Sequence, residues 1–342
     1  LGETIAYNCA VSKHPEPILF ITSTRIGDAV LSTGILHYLL QQRPGAPVTI
    51  ACGPAAAGLF THVPNLQRVI VIHKKTYGRH WLHLWAKTIS QRYGVIVDLR
   101  RSALAYFLRA HRRFIAGPGD PEQHKVLQLG AVLDLNPPPA PYIWLSEAEH
   151  SFVRARIPVL GKKPLLVFGP TANWGGKTWA AQNFTDLIHR ITASTGIAPD
   201  AAIALVGGPQ EQAQAAPIAE AMANYPHFYN LVGELNVLQS AALCQAATMF
   251  IGHDSGLMHI AAAVGGNVLG LFGPSPETNY APWATGLGQT AFVRTRQSYQ
   301  ELVYAPDFDH RSSKSLMDGL SVDMAYAAVE KLWDRIQWRA VA

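Results

Sequence analysis

Residues 252–266 read GHDSGLMHIAAAVGG, and His253, Asp254, Ser255 and His259 crowd a carboxylate, a hydroxyl and two imidazoles against an apolar run. The preceding TMFIG reads as a strand. Asp254 and Ser255 are good helix caps, and GLMHIAAAVGG reads as a short helix closed by Gly265-Gly266. Polar side chains at a helix amino end, where N–H groups lack partners and the dipole is positive, suit a bound anion or a hydroxyl-rich ligand. Two plainer readings stand beside this one: Asp254 or Ser255 only caps the helix, and His259 is a satisfied interior histidine.

Three further loops carry residues of the same kind. GPTANWGGKTW (169–179) combines glycines that let a backbone approach a ligand with Lys177, a mobile cation suited to phosphate. It is not a P-loop, because Thr171 stands where the first glycine of that pattern belongs. STRIGDAVLS (23–32) places Arg25 and Asp28 near a helix start. Asp28 is either a cap or, in a cleft between domains, a carboxylate able to take a proton from an attacking hydroxyl. VGGPQEQ (206–212) puts Glu211 after a strand, where a carboxylate can accept two ribose hydroxyls.

Other chemistries lack their motifs. No G-x-G-x-x-G follows an expected strand, the glycines around Ser255 miss the hydrolase elbow, and His253 and His259 are six apart, off the zincin spacing. Cys9, Cys52 and Cys244 are scattered, without disulfide or metal-ligand spacing, which fits a reducing cytoplasm.

These loops need strands and helices to aim them. ILFIT (18–22), VTIAC, RVIVIH, VIVDL and RFIAG read as strands of a first parallel sheet, with AVLSTGILHYLLQQ as the first crossover helix. The proline-rich NPPPAPYIW (136–144) marks the approach to a boundary. LLVFGP (165–170), AAIALVGG (201–208), TMFIGH (248–253) and VLGLFGP (268–274) then repeat the architecture. The expected class is α/β, two Rossmann-like doubly wound domains facing a central cleft: 1–155, 156–320, and a terminal helix over 321–342. That helix carries Val322, Ala325, Val329, Leu332 and Ile336 on one face, and its packing back on the first domain is one expectation.

A chain of 342 residues, 49% apolar and 15% charged, suits two folded domains of about 150 residues each. No apolar run approaches the 18 or so residues of a membrane span, and the start lacks a signal-peptide pattern, so a soluble or peripheral protein is expected. The net charge of +5 is unevenly spread: Lys74 to Arg113 holds ten Lys or Arg against one acid, Asp98. Such a stretch is a solvated basic surface, or it meets an anionic acceptor or a phosphate-bearing membrane. The aromatic interleaving of RNA-binding proteins is not visible, so nucleic acid is not expected as a partner.

Taken in order, ITSTRIGDAVLSTGIL, GPTANWGGKTW, VGGPQEQ, GHDSGLMHIAAAVG and LFGPSPETNYAPW resemble glycosyltransferase family 9, the lipopolysaccharide heptosyltransferase family, over about residues 17–285. The most specific piece is D-[ST]-G-x-x-H-x-x-A-A, met by Asp254, Ser255, Gly256, His259, Ala262 and Ala263. The resemblance implies a GT-B fold, the acceptor held by the first domain and the nucleotide sugar by the second. It implies inverting transfer from a nucleotide sugar, usually ADP-L-glycero-D-manno-heptose, to a growing lipopolysaccharide core at the cytoplasmic membrane face. No cofactor beyond the donor and no metal is then expected, because a lysine and helix dipoles can neutralise the diphosphate.

By the same resemblance Asp28 is the general base and Lys177 the phosphate-binding, catalytic lysine. Thr171 and Asn173 lie in the lysine's loop, Glu211 meets the ribose and Leu235 lies near the adenine. Asp254, Ser255, Gly256 and His259 contact the sugar and diphosphate. Arg25, Gly27, Arg100 and Arg101 are expected on the acceptor side. Another activated sugar is the nearest alternative, and a nicotinamide-dependent Rossmann enzyme a more distant one.

Overall fold

The computed structural model describes residues 15–341 other than 75, 307 and 313, with side chains up to residue 336. Cys9 and the opening residues 1–14, whose place the sequence leaves open, lie outside the described residues.

Two parallel sheets organise the chain. The first contains β1 (Ile18–Ile21), β2 (Val48–Cys52), β3 (Leu66–Val71), β4 (Arg92–Asp98) and β5 (Arg109–Ile115), in the order β3-β2-β1-β4-β5. The second contains β6 (Leu165–Gly169), β7 (Ala202–Leu205), β8 (Phe228–Asn230), β9 (Met249–His253), β10 (Val268–Phe272) and β11 (Thr290–Arg294), in the order β11-β10-β9-β6-β7-β8. Parallel strands covered by helices on both faces must be apolar on both faces, which is why β1, β2, β6, β9 and β10 are buried at every position. Each strand order reverses beside the first strand of its sheet, between β1 and β4 and between β6 and β9. Loops leaving the carboxyl ends at such switch points form ligand crevices. Here those loops carry Arg25 and Asp28, Arg100, Lys177, and Asp254. This is the GT-B arrangement the motifs imply.

The packing of two helices bears on the expected domain limits. The helix Glu147–Arg156, assigned by the 155 boundary to the first unit, packs on the second domain: its Val153 and the adjoining Ile157 join Leu243 and Ala247, from the helix Val237–Ala246 and its end, in one core cluster. The chain therefore crosses over just after the proline-rich stretch, whose Ile143 and Trp144 still pack in the first-domain core. The terminal helix Val322–Val341 packs, through its described side chains, on its own domain. Ala325, Tyr326, Val329, Leu332 and Trp333 pack with Phe184, Leu187 and Ile188 of the helix Ala181–Thr192, and Val293 of β11 borders the same cluster. Arg190 fixes the docking by pairing with Asp323 (2.5 Å) and lying 3.9 Å over the Tyr326 ring. Its apolar stripe is buried as the spacing predicts, against the apolar surface of its own domain.

The domains share apolar surface as well as a cleft. Leu238 and Ala241 of the helix Val237–Ala246, with Ile260 and Ala263 of the helix Gly256–Ala263, belong to the same buried cluster as Ile18, Phe20 and Val30 of the first domain. Where the helix Ile26–Gln42 meets the helix Gly256–Ala263, their amino ends touch. A Cβ on Gly256 would stand 2.3 Å from Ile26 Cγ2, and one on Gly27 would stand 3.0 Å from His259 Cδ2, so close approach requires glycine at this junction.

Candidate functional site

On the second domain, β9 ends at His253 and the chain turns at once into a helix. Ser255 is the residue before the first turn, yet its side chain caps nothing, and neither does Asp254. The plain capping reading therefore fails. Asp254 instead accepts from Lys177 Nζ at 2.5 Å, and His259 Nε2 stands 3.6 Å from its other oxygen. Burial acts to raise the Asp254 carboxyl, but His259 and the Lys177 ammonium outweigh it and hold the group well below the usual carboxylate range. Lys177 is thus a cation oriented by a carboxylate, with an ammonium that carries three donors and spends them only in part on Asp254. Ser255 Oγ and His259 Nδ1 are buried here without hydrogen-bond partners among the described residues, as is Ser275 Oγ beyond the end of β10. A buried polar atom left so costs about 1–3 kcal/mol, a cost that a polar ligand meeting it would remove.

The lysine loop is braced from three sides. His253 is fully buried and its Nε2 accepts the Trp179 N–H at 2.9 Å. Burial pushes this imidazole down to about 4, so it is neutral. Gln214 accepts the Ala172 N–H (3.0 Å) and donates to Thr178 Oγ1 (2.9 Å). Ser315 Oγ donates to the Thr178 carbonyl at 2.7 Å. Thr171 and Glu211 meet directly: Glu211 Oε2 accepts the Thr171 hydroxyl at 2.6 Å and the Gly208 N–H at 2.7 Å. Asn173 is exposed at the loop tip, and Leu235 is half-buried against the second-domain core at the foot of the helix Val237–Ala246.

On the first domain, a cavity of about 310 Å³ opens at the carboxyl ends of β1, β4 and β5, with Asp28, Arg100, Lys125, Gln128 and Tyr280 among its walls. Ser23 Oγ lies 3.4 Å from Asp28 Oδ2. Asp98, fully buried at the end of β4, accepts from the backbone N–H groups of Arg100 and Ser102, both at 2.9 Å, and from Ser102 Oγ at 2.6 Å. That cradle shapes the turn presenting Arg100. Neither Arg100 nor Lys125 joins a salt bridge among the described residues, so Asp28 shares the cavity with two cations that make no direct ion pair, although Asp98 behind the turn feels the Arg100 charge.

Among the expected acceptor residues, only Arg100 lines this cavity. Arg101 follows it in a left-handed turn (φ 54°) and is exposed, and Arg25 is exposed at the start of its helix. Gly27 contacts His259 rather than a cavity, since only a residue without a side chain lets the helix tips meet. Sequence reasoning missed Lys125, Gln128, Tyr280, Gln214 and Ser275. The PSPETNY segment after β10 was the one available signal for Ser275 and Tyr280.

The chain contains one Asp-x-Asp triplet, Asp307-Phe308-Asp309, of the kind that can hold a cation on a diphosphate. Asp307 lies outside the described residues. Asp309 is exposed and accepts the Arg311 N–H at 2.8 Å, while the Phe308 ring packs against Trp174 of the lysine loop. Among the described residues no group of three or more His, Cys, Asp or Glu is placed to hold a metal ion.

Residues 85–309, well over half the chain, match the family model described as glycosyltransferase family 9 (heptosyltransferase). The fold superposes on a glycosyl transferase family 9 protein from Veillonella parvula (TM-score 0.76, 17% identity, 96% of this chain and 100% of that one). It also superposes on the Escherichia coli ADP-heptose LPS heptosyltransferase II (TM-score 0.71, 18% identity, 94% and 99%). By sequence, lipopolysaccharide heptosyltransferase 2 of Escherichia coli is 27% identical over 301 residues, covering 75% of this chain and 83% of that protein.

Proposed function

The chain belongs to glycosyltransferase family 9, the heptosyltransferases, and from that premise we propose that it moves a heptose from ADP-heptose, with inversion, to an anionic lipopolysaccharide-core acceptor. One observation carries the reading: Gly27, the neighbour of Asp28, packs on His259, which borders the Asp254 carboxylate that holds Lys177. The expected base and the expected phosphate clamp thus lie on opposite sides of one junction, linked through Gly27, His259 and Asp254. Relatives named for lipopolysaccharide heptosyl transfer support the substrate class.

In this reading the acceptor hydroxyl lies in the first-domain cavity and gives its proton to Asp28 as its oxygen attacks the anomeric carbon. The bond from that carbon to the diphosphate oxygen breaks on the opposite face, and ADP departs with the electron pair. Lys177 and the amino end of the helix Gly256–Ala263 meet the charge that develops on the leaving oxygen. Thr171 and Asn173 flank that lysine, Glu211 and Leu235 hold the nucleoside, and Ser255, Gly256 and His259 face the sugar and diphosphate. With Lys177 supplying the positive charge, transfer proceeds without a metal, and activity that survives EDTA treatment is the expected result.

An acceptor of this kind resides in a membrane, and the first domain is proposed to rest on one peripherally, at its cytoplasmic face. No helix among the described residues is long and apolar enough to cross a bilayer. Tyr77, Leu82, Trp85, Tyr106 and Phe107 are exposed amid Lys74, Arg79, Lys87, Arg101 and Arg109, the mixture of amphipathic rings and cations that suits an anionic lipid surface.

The test is thermal stabilisation by ADP, UDP and GDP, followed by transfer from ADP-heptose with the product's anomeric configuration read by NMR. At about 100 times its dissociation constant a nucleotide binding only the folded state adds roughly 2.7 kcal/mol. Selective stabilisation by ADP, weakened in Lys177→Ala, is expected. Selective stabilisation by UDP or GDP would replace the donor and leave the transferase, and a retained anomeric configuration would overturn inversion.

A further inference from the structure

Among the described residues, the acceptor cavity is walled by the first domain with one exception. Tyr280 comes from the second domain, at the end of the short helix Glu277–Tyr280 that follows β10. Its position is fixed by a clasp between the domains. Asn279 Nδ2 donates to the carbonyls of Gln123 (2.8 Å) and Asp120 (3.4 Å) in the first-domain loop that borders the cavity. His124 Nδ1 accepts the Val126 N–H at 3.1 Å, which leaves the proton on Nε2, and Nε2 donates to the Ala281 carbonyl at 2.9 Å. The His124 ring also packs 4.7 Å from that of Trp283. Gln128, itself a cavity wall, donates to the same two carbonyls as Asn279, both at 2.6 Å. The clasp therefore grips a loop that is already fastened to the pocket.

Tyr280 is half-buried, its ring lies 6.3 Å from that of His259, and its phenol feels the carboxylates of both Asp28 and Asp254. Burial, then Asp28, then Asp254 push the phenol above its ordinary range, so the hydroxyl keeps its proton and acts as a donor. Arg100 and Lys125 lie in the same cavity and call for an anionic substituent on whatever enters, while an aromatic face with a donor at its edge suits a hydroxyl-bearing ring.

We propose that Tyr280 is an acceptor-binding residue contributed by the donor domain, one that packs against the acceptor sugar ring and donates a hydrogen bond to it, holding its hydroxyl beside Asp28. The clasp makes this possible, since without it the ring would not reach the first domain's cavity. The assignment rests on the acceptor reading of that cavity and says nothing of donor binding.

The experiment is calorimetric titration of the ADP-saturated full chain with deacylated, phosphorylated lipopolysaccharide core oligosaccharide, alongside titration of each protein with ADP alone. Tyr280→Phe is expected to raise the oligosaccharide dissociation constant about fivefold, by loss of the donor. Tyr280→Ala is expected to raise it about thirtyfold, by loss of donor and ring together. ADP affinity and melting temperature stay at wild-type values in Tyr280→Phe. Oligosaccharide affinity unchanged in both variants overturns the role of Tyr280 and leaves the acceptor cavity standing. An equal loss of ADP affinity overturns it too, because the residue would then serve the donor or the junction. A wild type that binds ADP but no core oligosaccharide overturns the acceptor reading and this assignment with it.

Discussion

The two sides of the junction handle charge in opposite ways. On the donor side, Lys177 and Asp254 neutralise each other beside the buried His259 ring, and His253 and Gln214 lock the loop that carries the lysine. On the acceptor side, Arg100 and Lys125 share a cavity of about 310 Å³ with one carboxylate, Asp28, among its described wall residues. A ligand on the donor side enters a site that is already balanced and held, and gains affinity by avoiding reorganisation. A ligand on the acceptor side must bring the missing negative charge itself. Rigidity thus belongs to the half expected to recognise the nucleotide, and charge selection to the half expected to recognise the varied acceptor.

The largest effect should come from removing the one group that belongs to the chemistry alone. Asp28→Asn keeps the shape of the side chain and loses the base, so transfer should fall by about 10² to 10⁴, with ADP stabilisation and melting temperature unchanged. Single-turnover transfer at saturating donor reads this, and a rate within a few-fold of wild type would remove Asp28 from the mechanism. Asp254→Ala should do the reverse and act first on stability. It strands the Lys177 ammonium beside a buried imidazole, and breaking such a pair costs about 3 kcal/mol, the lower end of the usual range because the lysine is 24% exposed. Urea unfolding measures this. An unchanged midpoint would show that the donor side does not depend on its internal pair.

Much of this was legible in the sequence, and what was not has a physical reason. The apolar runs at β1, β2, β6, β9 and β10 announce strands because a sheet covered on both faces leaves them no polar position. Strands β8 and β11 lie at the edges of their sheet, where Phe228–Asn230 and Thr290–Arg294 keep polar residues and look like loop. Asp254, Gly256 and His259 are readable because the end of β9 and the first turn of the following helix keep them close in sequence, and Lys177 because its loop leaves the neighbouring strand. Tyr280 meets Lys125 and Gln128 only when the domains dock, and no spacing along the chain encodes that. Arg100 and Arg101 are indistinguishable as letters, and the Asp98 cradle that turns one toward the cavity appears only once β4 has an end.

The braced loop makes a pH prediction that the open cavity does not. His253 is held near 4 in the folded protein, against 6.5 for a free imidazole. Between those values the unfolded chain binds a proton the folded one refuses, so stability is fully present above about 6.5 and is lost as pH falls toward 4. His37 and His124, also lowered by burial, act in the same direction. Melting temperature should fall through this window by calorimetry, and less steeply in His253→Gln. An equal slope in the variant would mean that the imidazole bracing the Trp179 N–H is not a source of acid sensitivity.

The smallest expected effect separates the two sides most directly. Charges that already face a buried partner are shielded from added ions, whereas the cations of an open cavity are not. Raising salt from about 0.1 to about 1 M shortens the Debye length from about 10 to 3 Å. Core-oligosaccharide affinity should then weaken by about three- to tenfold, and ADP affinity by less than about twofold, because the lysine that meets the diphosphate is held by Asp254 throughout. In Lys125→Ala the oligosaccharide's salt dependence should shrink while that of ADP stays put. If the two ligands respond to salt alike, the donor clamp is no better shielded than the cavity, and the division of labour between a balanced half and an unbalanced one is lost.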